Sequence, residues 1–160
     1  IATLWDDSPR FQCSIVLWCQ SAEQLRREAI LGAQLLLIGR TTSPDCPGAR
    51  LVWDDELAAA VETYRVEHPG KRREAHLGTQ LLKFGLFALE DQFDLILYVD
   101  SDADLNPPAS PLRRTAWEEF AGAFLRSSFL FAGSHDHSSP INSGAWVARP
   151  RRRVYEMALR

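Results

Sequence analysis

The fold of this chain is decided by residues 94–104, which read DLILYVDSDAD. A continuous apolar run from Leu95 to Val99 leads directly into carboxylates spaced two apart. Because the run is short, partly β-branched and aromatic, and bounded by charge, it predicts a strand buried on both faces. Side chains alternate along an extended chain, so Asp100 and Asp102 are expected to point the same way from the carboxyl end of that strand.

Asp100 and Asp102 form a candidate metal site. In open α/β sheets, ligands bind at the carboxyl ends of the strands. Two converging carboxylates repel each other unless a cation or a proton lies between them, and oxygen ligands favour hard ions such as Mg²⁺ or Mn²⁺. The competing interpretation is a plain turn after the strand. An EF-hand is excluded because Leu105 and Pro111 stand where its loop needs Gly and Glu.

Length and composition indicate one globular domain. The chain has 160 residues, of which 46% are apolar and 24% are charged, so it can bury a substantial core. A net charge of −3 gives no general attraction to nucleic acid or to anionic membranes. No segment approaches the roughly 20 apolar residues of a membrane span. The three cysteines, Cys13, Cys19 and Cys46, lack zinc-site spacing and are predicted to be free thiols.

A β-α-β unit is predicted early in the chain. Its first strand covers Ser14 to Trp18, its helix covers residues 22–31 with Ser21 as the N-cap, and its second strand covers residues 34–38. Such a unit implies a parallel sheet with a right-handed crossover. The fold class is therefore predicted to be α/β, with a mostly parallel central sheet flanked by helices in a Rossmann-like arrangement. Further helices are predicted at 54–67, 79–89, 112–125 and 154–159, and further strands at 51–53 and 129–132. A polar loop at 134–140 is followed by the segment 141–148 and a turn at Pro150.

Three landmarks follow one another along the chain. They are Lys83 on the helix before the key strand, the segment Tyr98-Val99-Asp100-Ser101-Asp102, and Asn142-Ser143-Gly144 followed by Pro150. In these landmarks the chain resembles the family-8 glycosyltransferases, the glycogenin-like group, whose hallmarks are aromatic-aliphatic-Asp-x-Asp and Asn-Ser/Thr-Gly. The resemblance covers most of the chain from Phe11 onward, with one residue more than usual between the helix and the Asp pair.

The resemblance implies a GT-A nucleotide-sugar-binding fold, present as a single partial domain over residues 1–160. Asp100 and Asp102 would hold Mn²⁺, or Mg²⁺, against the diphosphate of a UDP-sugar. Lys83 would add positive charge near the donor, unless it is an exposed helix lysine. Asn142-Ser143-Gly144 would contact sugar hydroxyls, unless it only forms a turn. Ser101 belongs to the same predicted donor site.

The chain also departs from the family pattern. The first strand of the family is expected upstream of Ile1, and a third metal ligand, a histidine, is expected beyond Arg160. His135 and His137 do not match that distant histidine and are expected to be solvated loop residues. A fragment cut at both ends is therefore predicted, and we expect it to bind donor weakly and to have little activity alone.

The leading hypothesis is a metal-dependent glycosyltransferase that moves a hexose or related sugar from a UDP-sugar to an acceptor. By resemblance, transfer proceeds with retention of anomeric configuration. The acceptor, whether glycan, protein or small molecule, is left open, as is the compartment, cytoplasm or Golgi lumen. The alternatives are a nucleotidyltransferase, although no Gly-rich phosphate loop is visible, and a non-catalytic interaction module with the same fold.

Overall fold

The computed structural model describes residues 1–5, 9–28, 30, 32–67, 80–103, 112–133 and 144–160. Strands and helices alternate along most of this part of the chain. In chain order they are β1 (Ala2–Leu4), α1 (Pro9–Glu28), β2 (Leu36–Ile38), β3 (Arg50–Val52), α2 (Asp55–Glu67), a 3₁₀ helix (Leu82–Leu89), β4 (Ile96–Val99), α3 (Leu112–Arg126), β5 (Phe131–Gly133), β6 (Ala145–Ala148) and α4 (Arg152–Ala158).

The described strands form a six-stranded sheet in the order β3-β2-β1-β4-β6-β5. The β3-β2, β2-β1 and β1-β4 pairs are parallel, whereas β4-β6 and β6-β5 are antiparallel. The α/β class is thus confirmed, but the sheet is mixed, and the prediction of a mostly parallel sheet is wrong. The connection from β5 to β6, residues 134–144, is shorter than the dozen or more residues that a parallel crossover needs. β6 therefore returns antiparallel.

The β-α-β unit consists of β1, α1 and β2, and it lies earlier than predicted. The predicted strand Ser14–Trp18 is wrong because these residues belong to α1, and Ser21 lies inside that helix rather than capping it. Among the side chains of α1 that the structure describes, residues 12–28, those of Ile15, Trp18, Cys19 and Ala22 are buried, while Leu17 is 66% exposed. That spacing of three, four and seven is helical. The sheet also has a strand ahead of α1, where the sequence prediction placed none.

Both faces of the sheet are covered. Alternation along β2 sends Leu36 and Ile38 into one core cluster and Leu37 into the other. The first cluster, which contains Leu57, Leu86 and Tyr155, lies under α2, the 3₁₀ helix and α4; the second lies under α1. The strand predicted at residues 95–99 is confirmed as β4, with Ile96, Tyr98 and Val99 buried.

Most of the other predicted elements occur with shifted ends. The helix predicted at 54–67 is α2, that at 112–125 is α3, and that at 154–159 overlaps α4. The helix predicted at 79–89 is mainly the 3₁₀ helix. None of the helices in the described ranges combines the length and hydrophobicity needed to cross a membrane.

Two of the three cysteines are joined. Cys19 on α1 and Cys46 in the segment between β2 and β3 form a disulfide, with their Cα atoms 5.6 Å apart. The prediction of free thiols is therefore wrong for this pair and right for Cys13, which is free and exposed. The pairing depends on α1 being a helix, because the helix turns Cys19 toward the sheet.

Candidate functional site

The strand order reverses at one point in the sheet. From β1 the chain proceeds to β2 and β3 on one side, and then to β4 on the other side of β1. Because β1 and β4 are parallel, their carboxyl ends lie at the same edge of the sheet, and the crevice between them is a topological switch point. Ligands of open α/β sheets bind at such points. Asp100 is the first residue after β4.

Asp100 is held by three hydrogen bonds. Its backbone N–H donates to the carbonyl oxygen of Gly144 at 2.7 Å. Its Oδ1 accepts hydrogen bonds from Lys83 Nζ at 3.0 Å and from the hydroxyl of Tyr98. The Asp100 side chain is 30% exposed. The carboxylate is therefore anchored at the edge of the sheet and is still open to solvent.

Lys83 is buried rather than displayed on a helix surface. The 3₁₀ helix directs the Lys83 side chain inward. The Nζ atom of Lys83 lies 4.3 Å from the centroid of the Tyr98 ring and forms an ion pair with Asp100. Burial lowers the pKa of Lys83, and the nearby charges of Asp100 and Asp102 only partly offset this. The alternative interpretation of an exposed lysine is therefore wrong.

Asp102 is exposed and lies in the turn that follows Asp100. That turn is closed by the N–H of Ala103, which donates to the carbonyl oxygen of Asp100 at 3.0 Å. The carboxylate of Asp102 favours the charged form of Lys83. Both carboxylates therefore act on the same ammonium group, and Asp102 does so from within a turn.

Of the remaining predicted site residues, Ser101 and Gly144 belong to the described part of the chain. Ser101 is buried on the α1 side, where the Ser14 hydroxyl donates to the Ser101 hydroxyl at 3.3 Å. It is therefore directed away from Lys83. Gly144 contacts Asp100 through the backbone hydrogen bond. Asn142 and Ser143, like His135 and His137, lie outside the described residues.

Asp100 and Asp102 supply the type of ligand atom that a hard cation prefers. Asp100 and Asp102 offer carboxylate oxygens, the ligand type that Mg²⁺ and Mn²⁺ prefer. Oδ1 of Asp100 accepts hydrogen bonds from two donors, so Oδ2 is the oxygen that would be available to a cation. No group of three or more His, Cys, Asp and Glu side chains able to hold a metal occurs within the described ranges. The two carboxylates therefore fit part of a metal site.

Sequence reasoning missed Tyr98 as a partner of Asp100. The signal was available, because residues two apart on a strand share a face. It also missed a cavity of about 590 Å³ beside Lys83, with Phe84, Phe87, Phe131 and Trp146 in its walls. That cavity brings together the 3₁₀ helix, β5 and β6, so no local pattern could have indicated it.

A scan of the sequence against protein-family models finds no match, and a search of curated proteins finds none either. Support for a function therefore comes from the residues themselves, from their geometry and from the resemblance of their motifs.

Proposed function

We propose that this chain is the donor-binding part of a metal-dependent glycosyltransferase that moves a hexose or related sugar from a UDP-sugar to an acceptor hydroxyl. One observation carries the proposal. A buried lysine, Lys83, and two acidic residues, Asp100 and Asp102, meet at the carboxyl end of β4, beside the switch point of the sheet. The family-8 resemblance adds the donor class, the GT-A fold and retention of configuration.

The proposed roles follow from charge. Asp100 and Asp102 would hold Mn²⁺, or Mg²⁺, which when bound neutralises charge on the departing diphosphate. Lys83 is already desolvated, so its ammonium would interact strongly with a phosphate oxygen. The carbonyl oxygen of Gly144 accepts a hydrogen bond from the backbone N–H of Asp100, so the start of β6 lies next to Asp100.

A non-catalytic module is the second candidate, and one observation favours it. Lys83 forms an ion pair with Asp100, so part of the negative charge is balanced without any added cation. A chain that kept the fold only for interaction could remain stable with such a pair. Binding of Mn²⁺ together with UDP distinguishes the two candidates.

For the compartment, we propose the Golgi lumen rather than the cytoplasm. Disulfides persist in oxidising compartments and are rare in the cytosol. The Cys19–Cys46 bridge lies between two buried residues and ties α1 to the segment before β3. A bridge in that position favours folding in an oxidising lumen.

The deciding experiment is Asp102→Asn. The change is nearly isosteric and removes one negative charge, so we expect Mn²⁺-dependent binding of UDP to weaken at least about tenfold. The melting temperature without metal should be unchanged, because lost repulsion with Asp100 and lost attraction to Lys83 oppose each other. Calorimetric titration of UDP with and without Mn²⁺ measures the first effect, and thermal denaturation measures the second.

Asp94→Asn is the matched control, because Asp94 is exposed and precedes the same strand at its other end. It should leave Mn²⁺ and UDP binding unchanged. If Asp102→Asn keeps the metal dependence of the parent chain, Asp102 is only a turn residue and the transferase proposal loses its main support.

A further inference from the structure

We infer that Tyr98 is a positioning residue that holds the Asp100 carboxylate in the orientation needed to ligate a divalent cation through Oδ2. The inference rests on the proposed function, because it concerns the same cation site. It adds a residue whose side chain is not expected to touch cation or donor and acts through Asp100.

The geometry of the contact is the first support. Tyr98 and Asp100 are two residues apart, on the same side of the chain as it leaves β4, and the phenol hydroxyl donates to Oδ1. Lys83 donates to the same oxygen. Two donors converging on one oxygen from different elements restrict rotation of the carboxylate, because rotation would break both hydrogen bonds. Oδ2 is thereby left to face the ligand.

The rigidity of the phenol is the second support. Tyr98 is fully buried, and its ring stacks on Trp146 with centroids 4.9 Å apart and planes 16° apart. Trp146 in turn contacts Phe87 and Phe131, at centroid distances of 5.9 Å and 5.6 Å. The hydroxyl is therefore fixed by aromatic packing across β4, β5, β6 and the 3₁₀ helix.

The chemistry of a metal ligand is the third support. A phenol hydroxyl that donates to one oxygen of a ligating carboxylate orients that carboxylate without itself binding the cation. Partners that orient a metal ligand in this way strongly affect metal affinity.

The test compares two Tyr→Phe variants of the whole chain, with Mn²⁺ alone as the probe. Tyr98→Phe keeps the ring and its stacking but removes the donor, so we expect Mn²⁺ affinity to fall about ten- to a hundredfold. Free Mn²⁺ is measured by electron paramagnetic resonance during titration. The spectrum of bound Mn²⁺ should also broaden or shift, because the carboxylate is no longer held in one orientation.

Tyr155→Phe is the matched control. It removes a phenol that donates to another carboxylate, Asp54 Oδ2 at 2.7 Å, within the same core cluster. Both variants should lower the melting temperature to a similar extent, but only Tyr98→Phe should change Mn²⁺ affinity. A merely structural role for Tyr98 predicts equal Mn²⁺ affinities in the two variants.

The outcomes separate this inference from the function on which it rests. If the parent chain binds no Mn²⁺, the proposed cation site and the inference both fail. If the parent chain binds Mn²⁺ and Tyr98→Phe binds it equally well or more tightly, the inference alone is overturned. Should Tyr98→Phe not fold, Trp146→Phe, which loosens the stack on Tyr98, is expected to weaken Mn²⁺ binding, and unchanged affinity overturns the inference.

Discussion

Lys83 is an ionisable side chain in a buried environment that disfavours its charged form. Burial lowers its pKa by more than Asp100 and Asp102 raise it. A lysine whose pKa is lower in the folded than in the unfolded state binds its proton less well after folding. Placing a charge on Lys83 is therefore less favourable in the folded than in the unfolded state, and the charged form reduces stability. A residue that reduces stability at a carboxylate-lined switch point is a strong candidate for binding an anion.

The variant Lys83→Met tests both the stability cost of this lysine and its proposed role in binding UDP. Methionine has a similar length and no charge. Relief of the buried ammonium and loss of the ion pair with the partly exposed Asp100 oppose each other, so the melting temperature should change little. Binding of UDP should weaken by about ten- to a hundredfold, the equivalent of one charge-assisted hydrogen bond of ~1.5–3 kcal/mol. Thermal denaturation and UDP titration measure the two effects on the same sample.

The exposed Arg153 provides a control for net charge. Arg153→Met removes a positive charge far along the chain and should leave UDP binding unchanged. A lower melting temperature for Lys83→Met with undiminished UDP affinity would show instead that the Lys83–Asp100 pair only holds the fold together.

At the scale of elements, the carboxyl ends of β1 and β2 approach each other closely. Gly39 follows β2 and is buried, and a Cβ atom built there would lie 2.4 Å from the backbone oxygen of Trp5. Trp5 is itself bonded to this region, because its N–H donates to the carbonyl oxygen of Ile38 at 2.9 Å. Backbone between paired strands cannot move aside as a flexible side chain can, so only glycine fits.

Gly39→Ala should therefore destabilise the protein by about 1–3 kcal/mol, the usual cost of overpacking a well-packed site. The free energy of unfolding in urea measures it. Gly48→Ala is the matched control, because a Cβ at Gly48 meets nothing within 4 Å and its φ is not positive. That variant should be neutral or more stable by up to about 1 kcal/mol. Equal effects at both glycines would show that the strand ends are less tightly packed than described.

At the scale of the whole molecule, the Cys19–Cys46 bridge closes a loop that contains the second half of α1 and all of β2. The two cysteines are 27 residues apart in sequence. Closing a loop of this length removes conformational entropy from the unfolded chain, which is worth about 3–4 kcal/mol at room temperature. The bridge thus stabilises α1 against the edge of the sheet where β2 and β3 lie.

Replacing both Cys19 and Cys46 with Ala should lower the free energy of unfolding by about that amount, measured in urea on protein folded under oxidising conditions. Cys13→Ala should change little, since Cys13 is free and exposed. In mass spectrometry, alkylation of the native protein should label Cys13 alone until a reductant is added. Labelling of all three cysteines without reductant would contradict both the bridge and the proposed lumenal compartment.

Local sequence determined the elements whose pattern has one interpretation. Leu95 to Val99 is too short for a helix, lies between charged residues and becomes β4, and its end places Asp100 at the carboxyl edge of the sheet. Residues 14–18 were ambiguous, because a short apolar run suits a buried strand or a buried helical face equally well. The longer helical spacing from Ile15 to Ala22 resolves that ambiguity in favour of α1.

Tertiary structure alone decided which distant groups meet. The Cys19–Cys46 bridge, the antiparallel return of β6 and the contact of Lys83 and Tyr98 with one oxygen of Asp100 all join groups through the packed sheet. Spacing along a chain specifies the direction of a side chain within its own helix or strand. Its partner across the core depends on strand order and on close packing, which involve the whole molecule at once.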